Sequence, residues 1–220
     1  MQTIVTRTGD GSPTLYIPEL KEYFHSMHGA LSESLFVYVE RALRKVKKDK
    51  IRLFEIGFGT GMNAMLACCE AEKQQKQVFC HSIEKYPLEK AVLQELLGLF
   101  KNGFPEFSGY YNKVNECEWD REVQITNYFS LWKINSDFLT YYPAGTYDVI
   151  FFDAFAPSIQ PEMWTHEIFT RIAGIMDNGA VLATYSANGQ VRRNMMAAGL
   201  KTERIAGPPG KREMLVATKP

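Results

Sequence analysis

IRLFEIGFGTGMN, residues 51–63, decides the fold. Ile51, Leu53, Phe54 and Ile56 are strand formers. Gly57, Gly59 and Gly61 follow at every second position, and Met62, Met65 and Leu66 then take up the apolar spacing of a helix. Glycine reaches positive φ without steric cost and lets a ligand lie against the main chain. A strand, a glycine turn and a helix start are the parts from which a doubly wound α/β fold builds a nucleotide site. Glu55 stands two residues before the first glycine, at the C-terminal end of the expected strand.

Toward the C-terminus the strand–helix alternation repeats. A helix is expected over 60–73, then a strand over 78–83 ending in Glu84. Pro87 suits the first turn of the next helix, which carries Leu93, Leu96 and Leu97 to Phe100. Residues 103–119 read as a short helix and loops. Residues 123–135 read as two strands, or one bulged strand, ending before Asp137. Residues 147–152 are an unbroken apolar run with one acid, the pattern of a central parallel strand, ending in Asp153. A helix over 162–176, a strand over 180–185 and a helix over 187–198 follow. GPPGKREM lies between two apolar pieces in the tail, which predicts a closing antiparallel hairpin. Toward the N-terminus, Leu35, Val39, Leu43 and Val46 mark a helix over 35–47 that Ser32 or Ser34 can cap. Residues 1–18 suggest one strand or a hairpin. The expected architecture is α/β, a mostly parallel sheet with helices on both faces. Residues 1–50 read as an extension and helix packed on a core of 51–220.

A length of 220 residues fits one globular domain, and 45% hydrophobic content allows a core with a pocket. The formal net charge is zero, so any nucleic-acid partner must be met by local patches. Arg41, Arg44, Lys45, Lys47, Lys48 and Lys50 form one such cluster, readable as a solvated helix end or as a polyanion-facing patch. No apolar run resembles a signal peptide or a membrane span, so a cytoplasmic protein without a membrane partner is expected. Cys68, Cys69, Cys80 and Cys117 lack metal-ligand spacing and read as reduced thiols.

The glycine turn narrows the ligand. A dinucleotide fingerprint spaces its glycines differently, with Met62 here at its third glycine place, and no Gly-Lys-Ser/Thr follows to grip a phosphate. Glu-x-Gly-x-Gly-x-Gly fits S-adenosylmethionine, which has an amino-acid end, a ribose and a sulfonium but no pyrophosphate. Glu55 can favour the ammonium of the methionyl end. Glu84 follows Gly61 by 23 residues, close to the spacing of roughly twenty at which an acid accepts ribose hydroxyls. Asp137 can accept from the adenine amino group. Each acid alone can equally cap a loop or helix. Glu55, Glu84, Asp137 and Asp153 together, all at C-terminal strand ends, point to a Rossmann-like class I methyltransferase. Residues 153–157, Asp-Ala-Phe-Ala-Pro, loosely follow the Asp/Asn-Pro-Pro-aromatic loop of amino-methylating enzymes, with Ala154 in place of the first proline. A plain strand-to-helix turn is the alternative.

These residues resemble a known family, the methyltransferase half of the tRNA 5-methylaminomethyl-2-thiouridine biosynthesis bifunctional proteins and its stand-alone relatives. The resemblance rests on GFGTGMN at 57–63, IEKYPL at 83–88, FFDAFAPSIQPEMWTHEIF at 151–169, LATYSANGQVRRNM at 182–195 and GKREM at 210–214, with HSMHGALSES at 25–34 similar to the N-terminal part. It implies methylation of the aminomethyl nitrogen of 5-aminomethyl-(2-thio)uridine at the tRNA wobble position. It implies no metal and no flavin, since the oxidase half is not covered, and an aminomethyl substrate supplied from elsewhere. The expected cofactor set is Glu55, Gly57, Gly59, Thr60, Gly61 and Asn63, then Glu84, Lys85, Asp137 and Asp153.

Asp153 is expected to orient the amine, with Phe155 and Trp164 desolvating it. Phe155, Trp164 and Tyr185 are candidate stacking platforms for a splayed base, or core aromatics. Arg192, Arg193, Lys211 and Arg212 are candidate phosphate contacts in the anticodon loop, or simply exposed cations. His28 either lines the pocket or is a surface histidine; His25, His81 and His166 show no ligand spacing. Two rivals stand beside this reading. One is a methyltransferase of the same fold acting on a small amine or a protein. The other is a non-enzymatic RNA-binding module on a relict cofactor fold.

Overall fold

The computed structural model describes residues 2–220. The chain opens with β1 (Ile4–Arg7), β2 (Pro13–Ile17) and β3 (Glu22–Tyr23), a small antiparallel sheet. Helix α1 (Ala30–Ser34) widens into a π-helical turn, Leu35–Glu40, followed by a 3-10 turn, Leu43–Lys45. Then come β4 (Lys50–Ile56), α2 (Met62–Gln74), β5 (Gln77–Glu84), α3 (Lys90–Gly103), α4 (Pro105–Glu116), β6 (Glu122–Gln124), β7 (Phe129–Asn135) and β8 (Tyr147–Phe152). A 3-10 turn, Pro161–Trp164, precedes α5 (His166–Ile175), β9 (Met176–Thr184), α6 (Gly189–Ala197), β10 (Lys201–Ala206) and β11 (Glu213–Thr218).

The main sheet has the order β10-β11-β9-β8-β4-β5-β7-β6. Strands β7, β5, β4, β8 and β9 are parallel, and β11 and β6 enter antiparallel. The chain leaves β4 in one direction, to β5 and β7, and returns on the other side through β8 and β9. The crevice between the carboxyl ends of β4 and β8 is therefore the switch point at which open α/β sheets bind ligands.

Strand β4 is buried on both faces, which is why it reads as a near-continuous apolar run. Ile51 and Leu53 face the layer of α2, α4 and the π turn, whereas Phe54 and Ile56 face α5 and α6. The aromatic side chains of Phe54, Phe151 and Phe152 are fully buried, each contributing about 2 kcal/mol of transfer free energy. A third cluster joins α2 and α3 to the N-terminal sheet through Leu15, Met62, Leu66, Phe100 and Tyr111.

Several local expectations give way to tertiary structure. The helix over 35–47 is short, because the wide π turn turns Val37, Tyr38 and Val39 all into the core. Ser32 and Ser34 lie inside α1, and Gly29 is its N-cap. The free N–H groups of α1 are met from the β1–β2 turn instead. Ala30 N donates to Thr8 Oγ1, Leu31 N to Ser12 Oγ and Ser32 N to Asp10 Oδ2, at 3.0–3.1 Å. Helix α3 starts at Lys90, so Pro87 sits in its extended approach. Residues 105–116 form a full helix where a short helix and loops were expected. The helix over 162–176 is broken at Thr165, whose hydroxyl caps α5 by accepting from Ile168 N. In the basic cluster, Arg44 pairs with Glu70 and Lys48 with Asp148 and Asp177, as suits a solvated helix end. All four cysteines are unpaired.

Candidate active site

An open cleft of about 1150 Å³ lies at the switch point. Its floor is the glycine turn. Gly57, Gly59 and Gly61 all have positive φ, at 92°, 52° and 78°. A side chain at Gly57 would place Cβ 2.4 Å from the carbonyl oxygen of Asp153, so the turn can run this close to the β8 loop only with glycine. Glu84 ends β5 and ties the turn down: its Oε2 accepts from Gly59 N at 3.0 Å and its Oε1 from Tyr86 N at 2.9 Å. Asp137 pairs with Lys85 at 2.9 Å and accepts from Leu139 N at 2.8 Å. Burial pushes its carboxyl up, but these partners outweigh that and hold it below the ordinary range. Gly57, Gly59, Thr60, Asn63, Glu84, Lys85, Asp137 and Asp153 all line this one cleft.

At the other end of the cleft, Asp153 accepts from Asn63 Nδ2 at 2.7 Å, while the nearby Tyr38 hydroxyl donates to the Phe152 carbonyl at 3.4 Å. Burial raises the Asp153 carboxyl to about 6, with the Asn63 hydrogen bond acting in the opposite sense. Phe155 lines the cleft and meets Phe24 edge-on, with ring centroids 5.3 Å apart. Phe24 also lies over Gly59, so an N-terminal aromatic ring spans the glycine turn and the acceptor loop.

The parts fit the amino-acid, ribose and adenine groups of the expected cofactor. The glycine cradle is open, acids stand on its β5 and β7 sides, and Thr60 Oγ1 is a buried hydroxyl without a protein partner. Comparisons with known proteins agree. Residues 112–220 match the model of a family described as S-adenosyl-L-methionine-dependent methyltransferase. The chain is 34% identical over 218 residues to the tRNA 5-methylaminomethyl-2-thiouridine biosynthesis bifunctional protein MnmC of Pseudomonas syringae pv. syringae, covering 91% of this chain and 32% of that protein. The Pseudomonas savastanoi protein of the same name is 31% identical over 224 residues, with the same shares covered. The crystal structure of MNMC2 from Aquifex aeolicus superposes with a TM-score of 0.81 at 26% identity, covering all of this chain and 71% of that one. The fold is that of an S-adenosyl-L-methionine-dependent methyltransferase. The chain spans about a third of the length of the curated relatives it matches.

In this methyltransferase several site residues stand elsewhere than their sequence positions suggest. Glu55 does not reach the cleft. It is fully buried beneath the turn, accepting a hydrogen bond from Ser82 Oγ, and burial raises its carboxyl to about 8. Alternation along β4 aims it toward α2, away from the strand tip. Trp164 is buried too, 3% exposed, and is no stacking platform. Its Nε1 donates to Phe155 O at 2.8 Å, so it braces the acceptor loop from behind. Tyr185 lines the cleft and donates from its hydroxyl to Ala154 O at 2.9 Å. Lys211 turns inward: it pairs with Glu33 at 2.5 Å and lies 4.2 Å above the Tyr185 ring. Arg192, Arg193 and Arg212 lie outside the cleft, and Arg193 is held by Gln190. His28 is exposed, whereas His25 lines the cleft, with Nδ1 2.9 Å from Thr14 Oγ1.

Phe24, Glu33, Tyr38 and Tyr86 were missed in the sequence. Tyr86 is 64% exposed at the cleft rim beside Lys85, and its place two residues after Glu84 was the available signal. The other three belong to the N-terminal region, where residues 25–34 carried only the family resemblance. Among the described residues, no group of three His, Cys, Asp or Glu gathers as a metal site, and no helix is long and apolar enough to cross a membrane.

Proposed function

We propose that this methyltransferase methylates the aminomethyl nitrogen of 5-aminomethyl-(2-thio)uridine at the tRNA wobble position. The observation that carries the reading is Asp153. It is a carboxylate held by Asn63 at the switch point, lining the same cleft as the glycine turn, in a chain similar along 91% of its length to proteins named for 5-methylaminomethyl-2-thiouridine biosynthesis.

Gly57, Gly59, Thr60, Glu84 and the Lys85–Asp137 pair would hold S-adenosylmethionine. When bound, it supplies an electrophilic methyl group on a sulfonium. Asp153 accepts a hydrogen bond from the acceptor amine and aims its lone pair. Its carboxyl, at about 6, is ionised at neutral pH. Taking a proton outright from an alkylammonium of pKa about 10 would be uphill by about 5 kcal/mol, so orientation is its main role. Phe24 and Phe155 exclude water beside it, which lowers the amine's own proton affinity. Trp164 and Tyr185 fix the carbonyls of the loop, Phe155 O and Ala154 O, and so fix the loop.

A wobble base must leave its stack to enter the cleft. Tyr86 and Lys85 at the rim offer an aromatic face and a cation for that. Arg193 and Arg212, farther out, are candidate contacts to anticodon-loop phosphates. A tRNA substrate would place the protein in the cytoplasm. The test is labelled methyl transfer to bulk tRNA from a strain lacking the activity. Label recovered in 5-methylaminomethyl-uridine nucleosides supports the reading; label in protein or small amines alone rejects it.

A further inference from the structure

The N-terminal region contributes a second carboxylate to the acceptor end of the cleft. Glu33 of α1 is 7% exposed and lines the same cleft as Asp153. Its Oε2 accepts from Ser26 N at 2.8 Å. Its Oε1 is buried and meets the Lys211 ammonium at 2.5 Å in an ion pair. Lys211 belongs to the β10–β11 loop, which folds over this end of the cleft, with Gly210 packed tightly against His28. His25, beside them, stays neutral because burial lowers its ring to about 4. Tyr38 and Tyr185 complete the wall, both with burial holding the phenol protonated.

An amine that attacks a methyl group turns its lone pair to the donor, so its N–H bonds must face the protein. Two acceptors are needed. Asp153 is one. We infer that Glu33 is the second amine acceptor, binding a primary ammonium or amine together with Asp153, and that Lys211 is a positioning residue that aims the Glu33 carboxylate. Two carboxylates against the single Lys211 side chain leave this end of the cleft short of cations, which suits a bound ammonium. The arrangement selects an aminomethyl group over a hydroxymethyl group or an unsubstituted base. This inference rests on the amine-methylation reading above.

The test compares binding, with S-adenosylhomocysteine present, of two tRNAs that differ only in 5-aminomethyluridine or uridine at the wobble position. The wild type is expected to prefer the aminomethyl tRNA. Glu33→Gln should reduce that preference about tenfold, the worth of one hydrogen bond to a charged group, with cofactor affinity by calorimetry unchanged. Glu33→Asp should keep part of the preference, and Lys211→Met should keep more of it than Glu33→Gln. Full preference and full turnover in Glu33→Gln, with an active wild type, overturn the inference alone. Equal losses in Glu33→Gln and Lys211→Met also overturn it, because the pair would then be only a strap between two loops. A wild type that methylates neither tRNA overturns the amine reading, and this inference with it.

Discussion

Asn63 Nδ2 donates to Asp153 Oδ2 at 2.7 Å, joining two residues 90 positions apart. The first turn of α2 thereby holds the carboxylate at the tip of β8. The cofactor turn and the acceptor loop are thus one mechanical unit, and the contact Gly57 makes with the Asp153 carbonyl adds to it.

Removing that amide should therefore hurt turnover more than cofactor binding. Asn63→Ala is expected to lower kcat by about tenfold or more, the loss of one hydrogen bond to a charged group. Calorimetry with S-adenosylhomocysteine should change much less. The lost donor should also move the acid limb of the pH–rate profile upward.

That acid limb has a defined source. Burial raises Asp153 to about 6, so below that pH it is protonated and no longer a carboxylate acceptor. We expect kcat/KM to rise as pH increases through about 6, with a further rise at higher pH as the amine deprotonates. Asp153→Asn should lose this limb together with most turnover while still binding cofactor.

Glu55 has the opposite bearing on stability. Its folded carboxyl titrates near 8, above the ordinary value, because it is buried. As pH rises from about 4.5 to 8 the unfolded chain releases this proton while the folded chain retains it, so stability falls over that window. Glu55→Gln removes the term. The difference in Tm between wild type and variant should grow in the variant's favour from pH 5 to pH 8, and the titrations of Asp153, His25 and His81 largely cancel in the comparison.

Gly57 tests the close approach of turn and loop. Gly57→Ala adds a Cβ 2.4 Å from the Asp153 carbonyl, at a φ of 92°. Destabilisation of about 2 kcal/mol or more is expected from the strained backbone and forced displacement. A melting curve matching wild type would show that the loop can move away freely.

The sheet was legible because β4, β5, β8 and β9 are buried runs bounded by acids and glycines, and burial on both faces leaves a periodicity-free apolar signature. The glycine turn carried its own backbone requirement. The acceptor end was less legible. Glu33, Tyr38 and Phe24 come from a region whose helix is capped at long range by Thr8, Ser12 and Asp10, and no local pattern records that. Trp164 and Lys211 were identified by residue type, but which way each points depends on packing: one under the loop, the other into an ion pair with Glu33. Glu55 shows the limit of reading acids at strand tips. One residue of alternation sends a carboxylate beneath the turn instead of into the cleft.

The most direct measurement is nucleoside mass spectrometry of tRNA carrying 5-aminomethyluridine, after incubation with S-adenosylmethionine and either the wild type or Asp153→Asn. The account predicts conversion to 5-methylaminomethyluridine by the wild type and only a trace by the variant. No conversion by the wild type, or equal conversion by the variant, would contradict it.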